Sequence, residues 1–174
     1  LGEWFLSYQE EDVFIGVTIG TGFGLGLVIN GKMFTGSSGM APEYGISTCE
    51  WGVWEDRISL KYLRSEIKKI YGKRVSPRIV QNDAENGDLK AQGIYNQFGE
   101  NLGIALSHVV NMVDPGHIVL GGGLSHAFNV YNEKLKSTIK TYSSIYQDNP
   151  CIISESKFKS KSQMVGAALN LKRK

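Results

Sequence analysis

A β-rich run with no helical period, Val13-Phe14-Ile15-Gly16-Val17-Thr18-Ile19, gives way to glycine at every second position, Gly20, Gly22, Gly24 and Gly26. The apolar pattern then resumes as Leu27-Val28-Ile29, and Asn30-Gly31 comes next. Branched and aromatic residues bounded by turn signals read as buried strands. Asn-Gly between two such runs is a strong two-residue hairpin signal. With a short third strand over 32–35, residues 13–35 read as an antiparallel meander.

From residue 54 onward, helices and strands alternate. Ile58, Tyr62, Ile67 and Ile70 predict a helix over 54–71 that ends at Gly72. Residues 73–87 read as polar and irregular, with Pro77 and Asn86-Gly87 as breakers. Ile94, Phe98, Leu102, Ala105, Val109 and Met112, at spacings of 4, 4, 3, 4 and 3, draw one apolar stripe on a long helix over 88–113. Asp114-Pro115-Gly116 stops it. Ile118-Val119-Leu120 is a short buried strand closed by Gly121-Gly122-Gly123. A helix over 128–142, a strand over 151–153 and a helix over 163–171 complete the chain, and residues 1–11 read as the tail of a helix running into a loop. The fold class is α/β: a mixed sheet that starts with an antiparallel meander and is flanked by helices. No repeat or linker divides the 174 residues, so they form a single domain.

Composition narrows the function. Nineteen Lys+Arg against seventeen Asp+Glu leave a net charge of +2, which is no footprint for nucleic acid. The basic run over 157–174 reads as a solvated face or tail. Cys49 and Cys151 lie far apart, as expected of a reducing, cytoplasmic protein. No stretch approaches about 18 apolar residues, so no transmembrane helix is expected. Glycine is the outlier: 21 of 174 residues is about 12%, against a usual ~7%.

Two glycine turns at strand ends are the candidate ligand contacts. Gly20-Thr21-Gly22 does not open a helix, so the dinucleotide fingerprint does not fit. A strand–turn–strand of this kind is either a plain hairpin or a turn that aims backbone N–H groups and the Thr21 hydroxyl at a phosphate. Gly121-Gly122-Gly123, between strand and helix, is either a tight connection or a place where a flat or anionic ligand meets the backbone.

The sequence from Gly20 to Lys32 resembles the second phosphate motif and hairpin of the ROK family, which groups bacterial sugar kinases, epimerase-kinases and sugar-responsive repressors on the actin-like ATPase (ribonuclease H-like) fold. The likeness continues through Gly36, Gly39-Met40-Ala41, Glu43 and Gly45. Gly52-Val53-Trp54-Glu55 stands where the family has G-C-L-E. Val113-Asp114-Pro115 to Gly121-Gly122-Gly123 resembles its adenosine segment, and Gly166-Ala167-Ala168 its closing small-residue helix. The resemblance implies that Gly20, Thr21 and Gly22 cradle ATP phosphates and that Gly121, Gly122 and Gly123 lie against the adenosine. It implies that Glu43 and Glu55 accept hydrogen bonds from the hydroxyls of a monosaccharide, a hexose or an amino sugar. Taken without it, each glutamate reads first as a solvated loop residue.

Three departures qualify the likeness. Ile46 follows Glu43-Tyr44-Gly45 where the family has a metal-binding histidine. Cys49 stands alone where the family has a cysteine cluster, with Val53 at the last cysteine position, so no zinc is expected. Tyr44, Trp51 and Trp54 are the candidates to pack that loop instead; His108, His117 and His126 read as ordinary core or surface residues. The family's first phosphate loop and catalytic aspartate have no match, so the chain reads as the C-terminal lobe of a two-lobed protein whose N-terminal lobe is absent, with no catalytic residue of its own. The parent is then a glucokinase-like hexose kinase using ATP and Mg²⁺, for which this piece alone is inactive. The alternatives are the effector lobe of a repressor that meets DNA only through an absent N-terminal domain, or a dimerisation lobe. A homodimer is implied by the family.

Overall fold

The computed structural model describes residues 1–158 and 160–171; Lys159 and the end of the basic run over 172–174 lie outside them. The chain opens with a short helix, α1 (Gly2–Ser7), and the meander of β1 (Val13–Ile19), β2 (Phe23–Ile29) and β3 (Lys32–Phe34). Asn30 and Gly31 both take positive φ, 47° and 73°, as a two-residue turn between twisted strands requires. A small ribbon of β4 (Thr48–Cys49) and β5 (Gly52–Val53) interrupts the next loop. Three helices come after it: α2 (Leu60–Tyr71), α3 (Pro77–Glu85) and α4 (Leu89–Val113). The chain ends with β6 (His117–Gly121), α5 (Phe128–Tyr142), the single turn-and-a-half of α6 (Ser144–Asp148), β7 (Ile152–Glu155) and α7 (Ser160–Leu171).

The main sheet has the order β3-β2-β1-β6-β7. β1 pairs antiparallel with β2 and parallel with β6, and β7 continues the parallel side. The mixed sheet follows from the connections: hairpins give antiparallel neighbours, and crossovers through helices give parallel ones. One face, through Ile15, Val17, Ile19, Ile118 and Leu120, packs on the stripe of α4 and on α5. The other face carries a smaller cluster of Tyr8, Phe14, Val28 and Val119 beneath α1. Each fully buried Leu or Ile contributes on the order of 1.5–3 kcal/mol relative to exposure.

The long helix starts where Asp88 caps it, accepting from the Ala91 N–H at 2.7 Å, and stops at Asp114, whose φ is 44°. Gly99 and Gly103 let α4 touch α5. A Cβ at Gly99 would sit 2.8 Å from the Tyr131 carbonyl oxygen, and one at Gly103 would sit 2.6 Å from Thr138 Cβ.

Four expectations need correction. The segment 73–87 is not irregular, because Pro77 takes the first helical position of α3, where its missing N–H and fixed φ are assets. The helix predicted from residue 54 starts at Leu60, capped by Ser59; Trp54–Asp56 form a separate 3₁₀ turn. β2 begins at Phe23 rather than at residue 27, since ladder bonds to β1 hold Gly24 and Gly26 in extended form. The last helix begins three residues earlier than its apolar pattern, at Ser160.

Candidate functional site

Parallel pairing sets the C-terminal ends of β1 and β6 side by side, with Thr18 opposite Gly121. Both strands leave the sheet through glycine. The Gly20 N–H donates to the Gly22 carbonyl at 2.9 Å, closing the first turn. The Leu124 N–H donates to the Ile19 carbonyl at 3.1 Å, tying the second turn to the first. Gly122 has φ +87°, and a Cβ there would lie 2.4 Å from Ile19 O, so only glycine fits between the turns. Gly20 and Gly123 differ: a Cβ on either meets nothing within 4 Å. Those two positions face open space.

The space beside Gly123 is a cavity of about 620 Å³, walled by Leu60, Ser76, Arg78, Gln81 and Tyr95. That size lies within the usual range for small-molecule sites. Its walls are held from several sides. The Leu60 N–H donates to the Gly20 carbonyl at 2.7 Å, fixing the start of α2 to the first glycine turn. The buried Tyr95 hydroxyl donates to the Pro77 carbonyl at 2.9 Å and pins the start of α3. Burial pushes that hydroxyl well above the usual phenol range, so it stays a neutral donor. Gln81 Nε2 donates to the His126 carbonyl at 3.1 Å, and His126 Nδ1 lies 3.1 Å from Glu155 Oε1.

Glu55 sits against the first turn. The Phe23 N–H donates to its Oε2 at 3.0 Å, and a Cβ on Gly22 would lie 2.4 Å from the same oxygen. Its Oε1 takes no hydrogen bond among the described residues, which leaves an acceptor beside Gly22. Glu43 lies elsewhere. It is exposed at the start of a 3₁₀ turn, Tyr44–Ile46, and lines a cavity of about 200 Å³ with Pro42, Ser47 and Met112. No residue of either glycine turn lines that cavity. The fold therefore gathers Gly20, Thr21, Gly22, Gly121, Gly122, Gly123 and Glu55 at one sheet end and leaves the Glu43 carboxylate at another opening.

Aromatic residues hold the loop that carries both glutamates. Trp54 is 4% exposed, and its backbone N–H donates to the Ser47 carbonyl at 3.1 Å. His108, on α4, meets the Trp54 ring edge-on at 5.7 Å and shares a 2.9 Å hydrogen bond with the Tyr44 hydroxyl. Burial pushes the Tyr44 hydroxyl up to about 12. Trp51 stays at the surface beneath the Arg57 guanidinium, 5.0 Å from its ring centre. Among the described residues no three of His, Cys, Asp or Glu converge as a metal site needs, and no helix is long and apolar enough to cross a membrane.

A family model described as the ROK family matches residues 1–174. The chain belongs to the ROK family. A xylose repressor of Caldicellulosiruptor bescii is 27% identical over 190 residues, which covers 95% of this chain and 48% of that protein. An N-acetyl-D-glucosamine kinase of Photobacterium profundum is 29% identical over 164 residues, covering 83% and 54%. The crystal structure of a ROK hexokinase from Thermus thermophilus superposes with a TM-score of 0.84 at 26% identity, covering 99% of this chain and 63% of that one. The chain thus spans about half the length of these curated relatives, and both sugar kinases and a sugar-responsive repressor are among its homologues. The actin-like ROK fold is confirmed by the superposition.

Within this ROK chain, Ile46 is 65% exposed. The Tyr44–His108–Trp54 stack anchors the loop around it. Sequence reasoning misses much of the wall of the 620 Å³ cavity: Ser76, Arg78 and Gln81 fall in 73–87, which reads as irregular, and His126 reads as an ordinary core or surface residue. Ser76-Pro77, a cap residue followed by proline, was the available signal.

Proposed function

We propose that this chain is the C-terminal, nucleotide- and sugar-binding lobe of a two-lobed ROK sugar kinase that phosphorylates a hexose or an N-acetylhexosamine with ATP. The observation that carries the reading is the position of Glu55. Its carboxylate is fixed at the glycine turn assigned to phosphate, so a sugar hydroxyl accepted by Oε1 would lie beside the phosphoryl group to be transferred. Holding the two reactants in register is the main task in phosphoryl transfer.

The residues present fit a nucleotide. Gly123 opens without a side chain onto the 620 Å³ cavity, and Gly20 is equally open at the neighbouring turn. Gly121, Gly122 and Gly123 would hold the adenosine, with Ser76, Arg78 and Gln81 opposite. Gly20, Thr21 and Gly22 would hold the phosphates. ATP, with Mg²⁺ to offset charge, supplies the phosphoryl group when bound. No carboxylate lines the cavity, and we assign no metal ligand or catalytic base to this chain. Glu43 is retained as a sugar contact only through its place in the family motif.

Similarity to the xylose repressor supports a second reading, in which the same Glu55 holds the sugar as an effector and no transfer occurs. A coupled assay of ADP formation by the native gene product, run over glucose, xylose, N-acetylglucosamine and N-acetylmannosamine, separates the two. ADP release with one sugar supports the kinase. Calorimetric sugar binding with no ADP release supports the repressor. Glu55→Gln should weaken sugar affinity at least about tenfold, roughly 1.4 kcal/mol; unchanged affinity would remove Glu55 from the site.

A further inference from the structure

A third concavity, about 670 Å³, lies between α2 and the turn leading into α3, and its charge is one-sided. Lys61, Arg64, Lys68 and Arg74 line it together with the hydroxyls of Ser65 and Ser76, and no acidic residue does. The cause is visible in the sequence. Residues 57–78 hold eight of the chain's nineteen Lys+Arg and one acid, Glu66. Glu66 is taken by Lys69 at 2.6 Å, and Asp83 and Asp88 act on Tyr71. Among the described residues, none of the four groove cations has an ion-pair partner.

Part of this arrangement works against the helix that carries it. Arg64 and Lys68 are like charges at i,i+4, which repel, and Lys61 sits in the first turn, where the helix dipole disfavours a cation; Lys68, in the last turn, is the one the dipole favours. A solvated helix face would ordinarily alternate signs. We propose that the groove is an anion site for a small molecule carrying several linked phosphate groups. Four cations exceed the charge of a single phosphate. The lining has no aromatic ring on which a base could stack, as single-stranded nucleic acid sites have. The groove is concave and within the volume range of small-ligand sites. It is separate from the glycine turns but shares Ser76 and Pro77 with the 620 Å³ cavity, so its occupant would brace the start of α3.

The test is titration calorimetry of the native protein with inorganic tripolyphosphate at about 0.15 M KCl, where long-range attraction is screened. We expect one site, with tripolyphosphate bound at least about tenfold tighter than orthophosphate. Arg64→Gln/Arg74→Gln should abolish that preference with an unchanged melting temperature, and Lys61→Gln alone serves if the double variant does not fold. Gly123→Ala should leave it intact, which separates this site from the proposed nucleotide site. Equal affinity for the two anions, or retention in both groove variants, overturns the proposal. A DNA duplex that binds more tightly through the same residues also overturns it, in favour of a nucleic-acid surface.

Discussion

Gly122 and Gly123 are neighbours in sequence, and the structure gives them opposite roles. In Gly122→Ala the new Cβ lies 2.4 Å from Ile19 O and 2.8 Å from Ile19 N, both backbone atoms that the sheet holds in place. Its φ of +87° adds about 1–2 kcal/mol for an L-residue. Overpacking adds about 1–3 kcal/mol. A loss of about 3 kcal/mol, at 2–4 °C per kcal/mol for chains of this size, lowers Tm by roughly 6–12 °C. In Gly123→Ala the Cβ meets nothing within 4 Å. Reduced freedom of the unfolded chain is then worth about 0.4–1 kcal/mol, so Tm holds or rises by roughly 1–4 °C. The same methyl projects toward the cavity, so affinity for a non-hydrolysable ATP analogue falls about tenfold. Scanning calorimetry and ligand titration of both variants measure all of this. A Gly122→Ala protein that melts with the wild type would refute the close approach of the two turns. A Gly123→Ala protein with full nucleotide affinity would show that adenosine does not lie against this turn.

Trp54→Ala removes a buried ring and should cost about 3–5 kcal/mol, read by urea denaturation; a cost under about 1 kcal/mol would mean that the stack does not anchor the loop. Burial pushes the Cys151 thiol up to about 12, so at pH 8 only about one thiol in 10⁴ is ionised there. Ellman's reagent should therefore spare Cys151 until denaturant is added, and rapid labelling of Cys151 in the native protein would contradict its burial. Burial and Lys157 hold His117 below its ordinary value. The neutral ring is favoured in the fold, so this contribution is complete above about pH 6.5 and is lost as pH falls through the folded value. His117→Asn should flatten the fall of Tm between about pH 7 and 5; an unaltered slope would assign that fall to other groups.

The meander and the long helix were legible because their signals are local. Asn30-Gly31 dictates a turn from two residues, and the stripe from Ile94 to Met112 repeats often enough to fix a helix. The wall of the 620 Å³ cavity was not legible, because a proline ends one helix and begins another with the same chemistry. Ser76 before Pro77 decides between the two only when cap and first position are read together. The place of Glu55 was hidden for a different reason. Its partner, the Phe23 amide, lies 32 residues away, and no spacing rule reaches across a loop of that length. Glu43 and Glu55 look equivalent as loop carboxylates, and only folding sends one to the glycine turn and the other to the end of α4.

The contact of α4 with α5 through Gly99 and Gly103 has a mechanical consequence. A helix pair this close cannot slide: a shift along either axis would drive the Tyr131 and Leu135 carbonyls, or Thr138, into positions that bear side chains. The two helices and the sheet beneath them therefore move as one plate. α3 is fastened differently: it rests on the core through Val80 and Ala84, and side-chain groups of Tyr95, Gln81, Gln92 and Asn129 tie it to its neighbours. Water can replace such bonds one at a time. Hydrogen exchange should then be faster in α3 than in α4 and α5, and a ligand in the 620 Å³ cavity would slow it at that corner alone. The plate supplies a fixed bed on which the glycine turns stand.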